Sequence, residues 1–392
     1  MTSAILIAIC SLLLIAYLFD LTSLKTKIPS VILLLLLGWS VRQLTNLFGL
    51  NFPDFSSVLP IIGTIGLILI VLEGSLELEL NKSKFKLIRK SLLGSLIPMI
   101  VLAFLLAYLF KYFGQFSFKD SLVNAIPLCV ISSAVAIPSV RHLASANKEF
   151  IIYESSLSDI FGVLFFNFIA FNDSFDTHSF GHFGLQLLII IIISFVATIG
   201  LSLLLSKIDH QIKFVPIILL VILIYAVSKT YHLPALIFIL LFGLFIGNLD
   251  EFKGFKWIER FRPDVLEKEV KKFKDLTIEG AFLIRALFFL LFGYLIETAE
   301  ILNTETIIWA IGIVSIIFIF RAVQLKLSKI PLKPLLFVAP RGLITILLFL
   351  SIAPIQNISL VNKSLIIQVI ILTALIMMVG LMFSKKSDKT TN

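Results

Sequence analysis

The chain has 392 residues, of which 59% are apolar and 15% are charged, and its mean hydropathy is +1.06. An ordinary soluble domain carries about 25% charged residues. The composition therefore excludes a soluble enzyme and a disordered chain, and the two Cys residues exclude a disulfide-stapled secreted domain. The net charge of +9 is spread over short connections between long apolar runs, so we interpret the chain as a polytopic membrane protein, not as a nucleic-acid-binding one.

Thirteen mostly apolar segments approach the length of about 20 residues that a transmembrane helix requires. They lie at 4–20, 28–48, 58–78, 91–111, 120–140, 150–171, 183–206, 213–229, 233–249, 276–297, 305–325, 332–353 and 363–383. We predict an all-α fold with one transmembrane domain over 1–392. Residues 250–275 are predicted to form a basic amphipathic connection on the cytoplasmic side, and residues 384–392 a short basic tail.

The positions of Lys and Arg predict the orientation. Most of the 33 basic residues fall in the odd-numbered connections, whereas the even-numbered connections carry mainly acids. By the positive-inside rule the N-terminus lies outside and the C-terminus lies in the cytoplasm of a cell (inner) membrane. Arg321, near the cytoplasmic end of the eleventh segment, counts here with the connection that follows it. Arg42, Arg285 and Arg341 are then the basic residues that are assigned to no connection.

Four charged residues lie near the predicted bilayer midplane: Glu154 and Asp159 in the sixth helix, Arg285 in the tenth and Arg341 in the twelfth. Each costs about 2.5–3.5 kcal/mol to insert without compensation. The structural interpretation is mutual neutralisation by salt bridges. The functional interpretation is an ion site, because such residues mark ion pathways in membrane proteins.

The sixth helix contains the sequence Glu-Ser-Ser-Leu-Ser-Asp at 154–159. Ser155 and Asp159 are four residues apart and share one helical face, while Glu154 and Ser158 lie on the neighbouring stripe. Hydroxyl and carboxylate oxygens on one face suit a small monovalent cation and are too few for a divalent cage. Glu154 is placed to bind an arginine.

The fifth and twelfth helices are interrupted. The fifth has Ser132 and Ser133 in a run of small residues between two prolines, and the twelfth has Pro340 directly before Arg341 and Gly342. These helices occupy the same place in two six-helix sets, 4–171 and 213–383, joined by a linking helix at 183–206. We predict two inverted repeats, in which paired breaks mark a transport site.

These motifs resemble the monovalent cation/proton antiporter family, which comprises the sodium/proton exchangers and their relatives. Residues 154–159 are similar to the family's Glu-Ser-x-x-Asn-Asp signature, and Pro340-Arg341-Gly342-Leu343 is similar to its Leu-Arg-Gly-Ala stretch. The Leu-Glu-Gly-Ser-Leu-Glu-Leu sequence at 72–78 resembles the end of its third helix. The resemblance covers the whole chain.

The resemblance implies a role for each matching residue. Asp159 falls on the aspartate that binds the cation and the proton, and Ser155 falls on a coordinating serine. Glu154 falls on the glutamate that pairs with an arginine of the second broken helix, here Arg341. Ser132 or Ser133 takes the place of a threonine oxygen.

Secondary candidates are Ser158, which stands where relatives carry Asn or Asp, together with Arg285 and Glu73. Arg285 has Glu73 or Glu279 as its candidate partner. The implied activity is electroneutral exchange of a monovalent cation, with Na⁺ expected first and Li⁺ or K⁺ as alternatives, for protons. A homodimer in contact with membrane lipid is expected, with no cofactor, no nucleic-acid partner and no enzymatic activity.

The rival hypothesis is a sodium-coupled symporter of an organic anion on a related inverted-repeat fold. Arg341 or Arg285 would then bind the substrate. A membrane-embedded hydrolase is disfavoured, because the five His residues lie in or next to predicted connections, away from the midplane acids.

Overall fold

The computed structural model describes residues 2–26, 28–49, 54–80, 84–172, 176–207, 210, 212–252 and 263–383. In the described residues all regular structure is helical. The helices are α1 Thr2–Thr26, α2 Ser30–Leu47, α3 Leu59–Glu77, α4 Phe85–Gly114, α5 Phe118–Cys129, α6 Ser133–Ser139, α7 Ser145–Phe171, α8 Thr177–Lys207, α9 Phe214–Thr230, α10 Leu236–Gly247, α11 Leu249–Phe252, α12 Pro263–Tyr294, α13 Thr298–Ile301, α14 Thr304–Leu327, α15 Leu343–Leu350 and α16 Lys363–Phe383. Two short 3₁₀ turns, Leu335–Phe337 and Pro354–Gln356, flank α15.

The predicted all-α membrane fold is confirmed. Within the described residues, ten helical stretches are long and apolar enough to cross a membrane, with α5 and α6 taken together as one of them. The shorter apolar helices α9 and α10 match the predicted eighth and ninth spans. The interrupted stretch from the first 3₁₀ turn through α15 matches the twelfth. The inverted relation between the two sets of six helices stays a prediction.

The fifth span breaks where its small-residue run predicted an interruption. Val130 and Ser132 have extended backbone between α5 and α6, with ψ angles of 131° and 115°. The twelfth span breaks over residues 338–342, between its 3₁₀ turn and α15. Pro340 explains this second break, because proline lacks an N–H group and biases the residue before it, Ala339, away from helical backbone.

The structure describes part of the connection predicted at 250–275, whose cytoplasmic location stays a prediction. Residues 263–275 are the first turns of α12, which runs without interruption to Tyr294. Its Leu266 and Phe273 are fully buried, so packing inside the protein holds this stretch in line with the span. Residues 253–262 and the predicted basic tail at 384–392 lie outside the described residues.

The chain divides into two compact units. The first comprises Met1–Thr64, Lys90–Gly162 and Leu283–Asn392, and the second comprises Ile65–Arg89 and Val163–Phe282. Both broken spans and the acidic stretch of α7 belong to the first unit. In the second unit, Gly243 of α10 packs so closely on α3 that an added Cβ would lie 1.9 Å from Ser75 Oγ. The side chain of Asn248 there binds the backbone of both Leu78 and Leu80.

Candidate functional site

The two helix breaks cross in the first unit. Residues 130–132 separate α5 from α6, and residues 338–342 precede α15. The backbone N–H of Ser132 donates to the Pro340 carbonyl over 3.0 Å, which joins the breaks directly. A Cβ on Gly342 would lie 3.0 Å from the Ser132 hydroxyl oxygen. Glycine therefore lets the two backbones approach this closely.

Asp159 of α7 lies beside this crossing and is only 1% exposed. Its Oδ2 accepts hydrogen bonds from the Ser133 backbone N–H, at 3.3 Å, and from the Ser133 hydroxyl. The hydroxyl of Ser158 accepts the Ile131 N–H at 3.0 Å. The break frees these N–H groups from their helical partners, so the side chains of α7 take their place.

Several buried oxygens on α7 and at the first break are available to a ligand. Asp159 Oδ1, Ser132 Oγ and Ser156 Oγ have no hydrogen-bond partner among the described residues, and we call such atoms open oxygens. Ser155 Oγ donates to the backbone carbonyl four residues earlier, at 2.7 Å, and keeps its lone pairs. The predicted coordinating role of Ser132, Ser133 and Ser155 stays a prediction.

Glu154 pairs with Arg321, not with the predicted Arg341. Arg321 Nη1 lies 2.5 Å from Glu154 Oε1, and the two side chains are 2% and 0% exposed. Gln324 donates to the same carboxylate oxygen and accepts from Arg321 at 3.1 Å. The prediction was wrong because Arg321 was assigned to a cytoplasmic connection. In the structure α14 continues to Leu327, and the side chain of Arg321 is buried.

Arg341 binds backbone instead of a carboxylate. Its guanidinium donates to the carbonyls of Leu128 at 2.8 Å, Ala339 at 2.8 Å and Cys129 at 3.3 Å. Leu128 and Cys129 end α5, where helical carbonyls lose their partners and the helix dipole is negative. Thr373 of α16 accepts the Arg341 backbone N–H at 3.1 Å. Arg341 thus caps the first half of the broken fifth span.

The secondary candidates Arg285 and Glu73 are both buried, at 3% and 4% exposure. Arg285 belongs to the first unit and Glu73 to the second. Their functional roles stay predictions.

Sequence reasoning missed Arg321, Gln324 and Thr373. Arg321 and Gln324 are three residues apart inside the predicted segment 305–325, so they share a helical face. The signal that would have identified them is a basic residue and an amide on one helical face of an apolar segment. Arg321 lies four residues before the end of that segment, and Gln324 lies one residue before it.

The fold and the site together define a class: a multi-pass membrane protein in which two broken spans cross beside a buried aspartate. The family model described as "Sodium/hydrogen exchanger, transmembrane" matches residues 9–385. The chain therefore belongs to the sodium/hydrogen exchanger family, which is a family of transporters, and the resemblance stated from its motifs is confirmed.

Two solved structures of the sodium proton antiporter MjNhaP1 from Methanocaldococcus jannaschii have the same fold. The structure at pH 8 has a TM-score of 0.66 and 17% identity over 95% of this chain and 94% of that one. The electron-microscopy structure has a TM-score of 0.69 and 17% identity over 97% and 94%. A search of curated proteins found no match.

Proposed function

We propose that the protein exchanges a monovalent cation for protons at Asp159. One observation carries the proposal: Asp159 is buried, keeps one open oxygen, and forms no salt bridge within the described part of the chain. A buried carboxylate without a countercharge is costly. A bound proton or a bound cation removes this cost, so the two compete for the site.

The fixed charges around the site support electroneutral exchange. Glu154 and Arg321 neutralise each other, which leaves Asp159 as the acid whose charge changes with its ligand. A proton and a monovalent cation each add one positive charge to it. The two loaded states then carry the same net charge. Exchange of one cation for one proton therefore moves no net charge across the membrane.

The cation ligands proposed are Asp159 Oδ1 with hydroxyl oxygens of Ser132, Ser133 and Ser155. Neutral oxygens around one carboxylate suit Na⁺, with Li⁺ and K⁺ as further candidates, better than a divalent ion. The site sits where two spans lose helical structure, which is where backbone carbonyls become available to ions. Ser158 is a positioning residue, because its hydroxyl holds the broken backbone at Ile131.

Alternating exposure of this site to the two sides of the membrane completes the proposal. We infer a cell (inner) membrane location with the N-terminus outside, from the distribution of Lys and Arg. A homodimer surrounded by membrane lipid is the proposed assembly. Arg285 and Glu73 remain secondary candidates.

The test is dissipation of a preset pH gradient in proteoliposomes by Na⁺, Li⁺ and K⁺ in turn. Wild type is compared with Asp159→Asn, which keeps size and polarity but removes the ionisable group. The control is Glu305→Gln, which removes an exposed acid at the start of α14. We expect dissipation by wild type and by the control, and none by Asp159→Asn at unchanged thermal stability.

Proton-coupled flux through Asp159→Asn would exclude this aspartate as the exchange site. Charge movement or dependence on membrane potential would contradict the proposed stoichiometry alone. If no cation acts on the folded wild type, the rival organic-anion symporter becomes the better hypothesis. The structure lends that rival little support, since the Arg341 guanidinium is already bound by three backbone carbonyls.

A further inference from the structure

Two buried oxygens on α5 have no role in the site described so far. Ser121 and Asn124 are both 0% exposed. Ser121 Oγ and Asn124 Oδ1 are open oxygens, without a hydrogen-bond partner among the residues that the structure describes. The residues are three apart, which places their side chains next to each other on one face of α5. A buried polar atom left unpaired carries the full cost of its desolvation, so the pair calls for a ligand.

The orientation of the Asn124 amide is determined by its nitrogen. Nδ2 donates to the Asp120 carbonyl at 2.8 Å and to the Gln356 carbonyl at 2.7 Å. Because both amide hydrogens are used, Oδ1 must be the free acceptor. Gln356 lies in the 3₁₀ turn that follows the twelfth span, so this span helps to aim the Asn124 oxygen.

The pair lies between the start of α5 and the Asp159 site. Asp120, in the first turn of α5, is half-buried and supplies a carboxylate one turn before Asn124. Further along the chain, beyond the end of α5 at Cys129, the first break presents the open oxygen of Ser132. The positive-inside orientation places the start of α5 at the outer surface. In chain order the pair therefore stands between the outer end of α5 and the first break beside Asp159.

We propose that Ser121 and Asn124 form a relay site for the transported cation between the outer surface and Asp159, with the Asp120 carboxylate attracting the cation to its outer end. The proposal rests on the proposed exchange function. Neutral oxygens replace part of the hydration shell but do not compensate the charge, so the cation is held weakly and passes on. A carboxylate in the same position would trap it.

The experiment compares Ser121→Ala with Ser202→Ala. Ser202 of α8 is also 0% exposed and also has an open hydroxyl within the described structure, so the two variants delete the same group from equally buried positions. Cation-driven proton flux is measured in vesicles of known sidedness, with the cation supplied from the outer or the inner face. We expect Ser121→Ala to raise the KM for the outer cation about 3–10-fold, with the inner KM and thermal stability unchanged. Ser202→Ala should leave both KM values unchanged.

A second variant protects the test against loss of folding. Ser121→Cys keeps the size of the buried side chain but replaces its oxygen with sulfur, which is a poor ligand for a hard monovalent cation, and we expect it to raise the outer KM as Ser121→Ala does. Equal KM changes from both faces, or a Ser121→Ala effect no larger than that of Ser202→Ala, would overturn the relay. Failure of the exchange function itself has a different signature, which is absence of flux in wild type.

Discussion

The buried pair of Glu154 and Arg321 gives the sharpest prediction. Arg321→Met removes a guanidinium that lies 2.5 Å from Glu154 in a place where both side chains are 2% exposed or less. Among the described residues, the Gln324 amide then remains as the donor to the same Glu154 oxygen. Breaking one side of a buried ion pair costs about 3–5 kcal/mol, because it leaves the other charge uncompensated. We expect the free energy of unfolding to fall by that amount.

The assay uses the two cysteines of the chain. Cys10 is exposed and Cys129 is buried, so in a Cys10→Ser background a maleimide dye reports unfolding through Cys129. Unfolding is followed by titration with denaturing detergent in mixed micelles. Glu154→Gln and Arg321→Met are measured singly and together. Glu154→Gln and Arg341→Met are measured in the same way.

The double variants decide between two pairings. Side chains in contact show coupling energies of about 0.5–3 kcal/mol, whereas independent sites add within about 0.5 kcal/mol. We expect Glu154 to couple strongly to Arg321 and weakly to Arg341. If Arg341 shows the larger coupling, the pairing inferred from family resemblance is right and the reasoning from this structure is refuted.

Three further predictions concern other contacts. Ser133→Ala should raise the KM for the cation several-fold, because it removes a donor to Asp159. Ser139→Ala deletes a buried hydroxyl that donates within its own helix, and it should leave the KM unchanged. Equal effects of the two variants in transport assays would contradict this. Gly342→Ala should reduce both the exchange rate and the melting temperature, because its Cβ would lie 2.6 Å from Val135 Cγ2. Adding Val135→Ala should restore part of both. Absence of this rescue would contradict the steric explanation. Asn248→Leu should destabilise the second unit by about 1–3 kcal/mol, because it leaves the buried Leu78 carbonyl unpaired and removes the bond to the Leu80 N–H. Detergent titration measures this, and an unchanged midpoint would contradict it.

The sequence by itself determined the membrane class, the all-helical fold and the two interruptions. These features depend on local properties: about 20 apolar residues must cover the bilayer, and prolines with small residues weaken a helix wherever they stand. The acids of the sixth helix could be identified for the same reason, since a charge in an apolar segment is visible without knowledge of its neighbours.

Partner choice was decided by the tertiary structure alone. Glu154 and Arg321 are 167 residues apart in sequence, and no periodicity states which helix faces which. Arg341 had looked like a partner for a carboxylate because its charge was known and its surroundings were not. The crossing of the two breaks places it instead on the carbonyls that end α5. An arginine satisfies its donors with whatever acceptors the packed chain brings within reach, and those acceptors are assembled only when the helices pack.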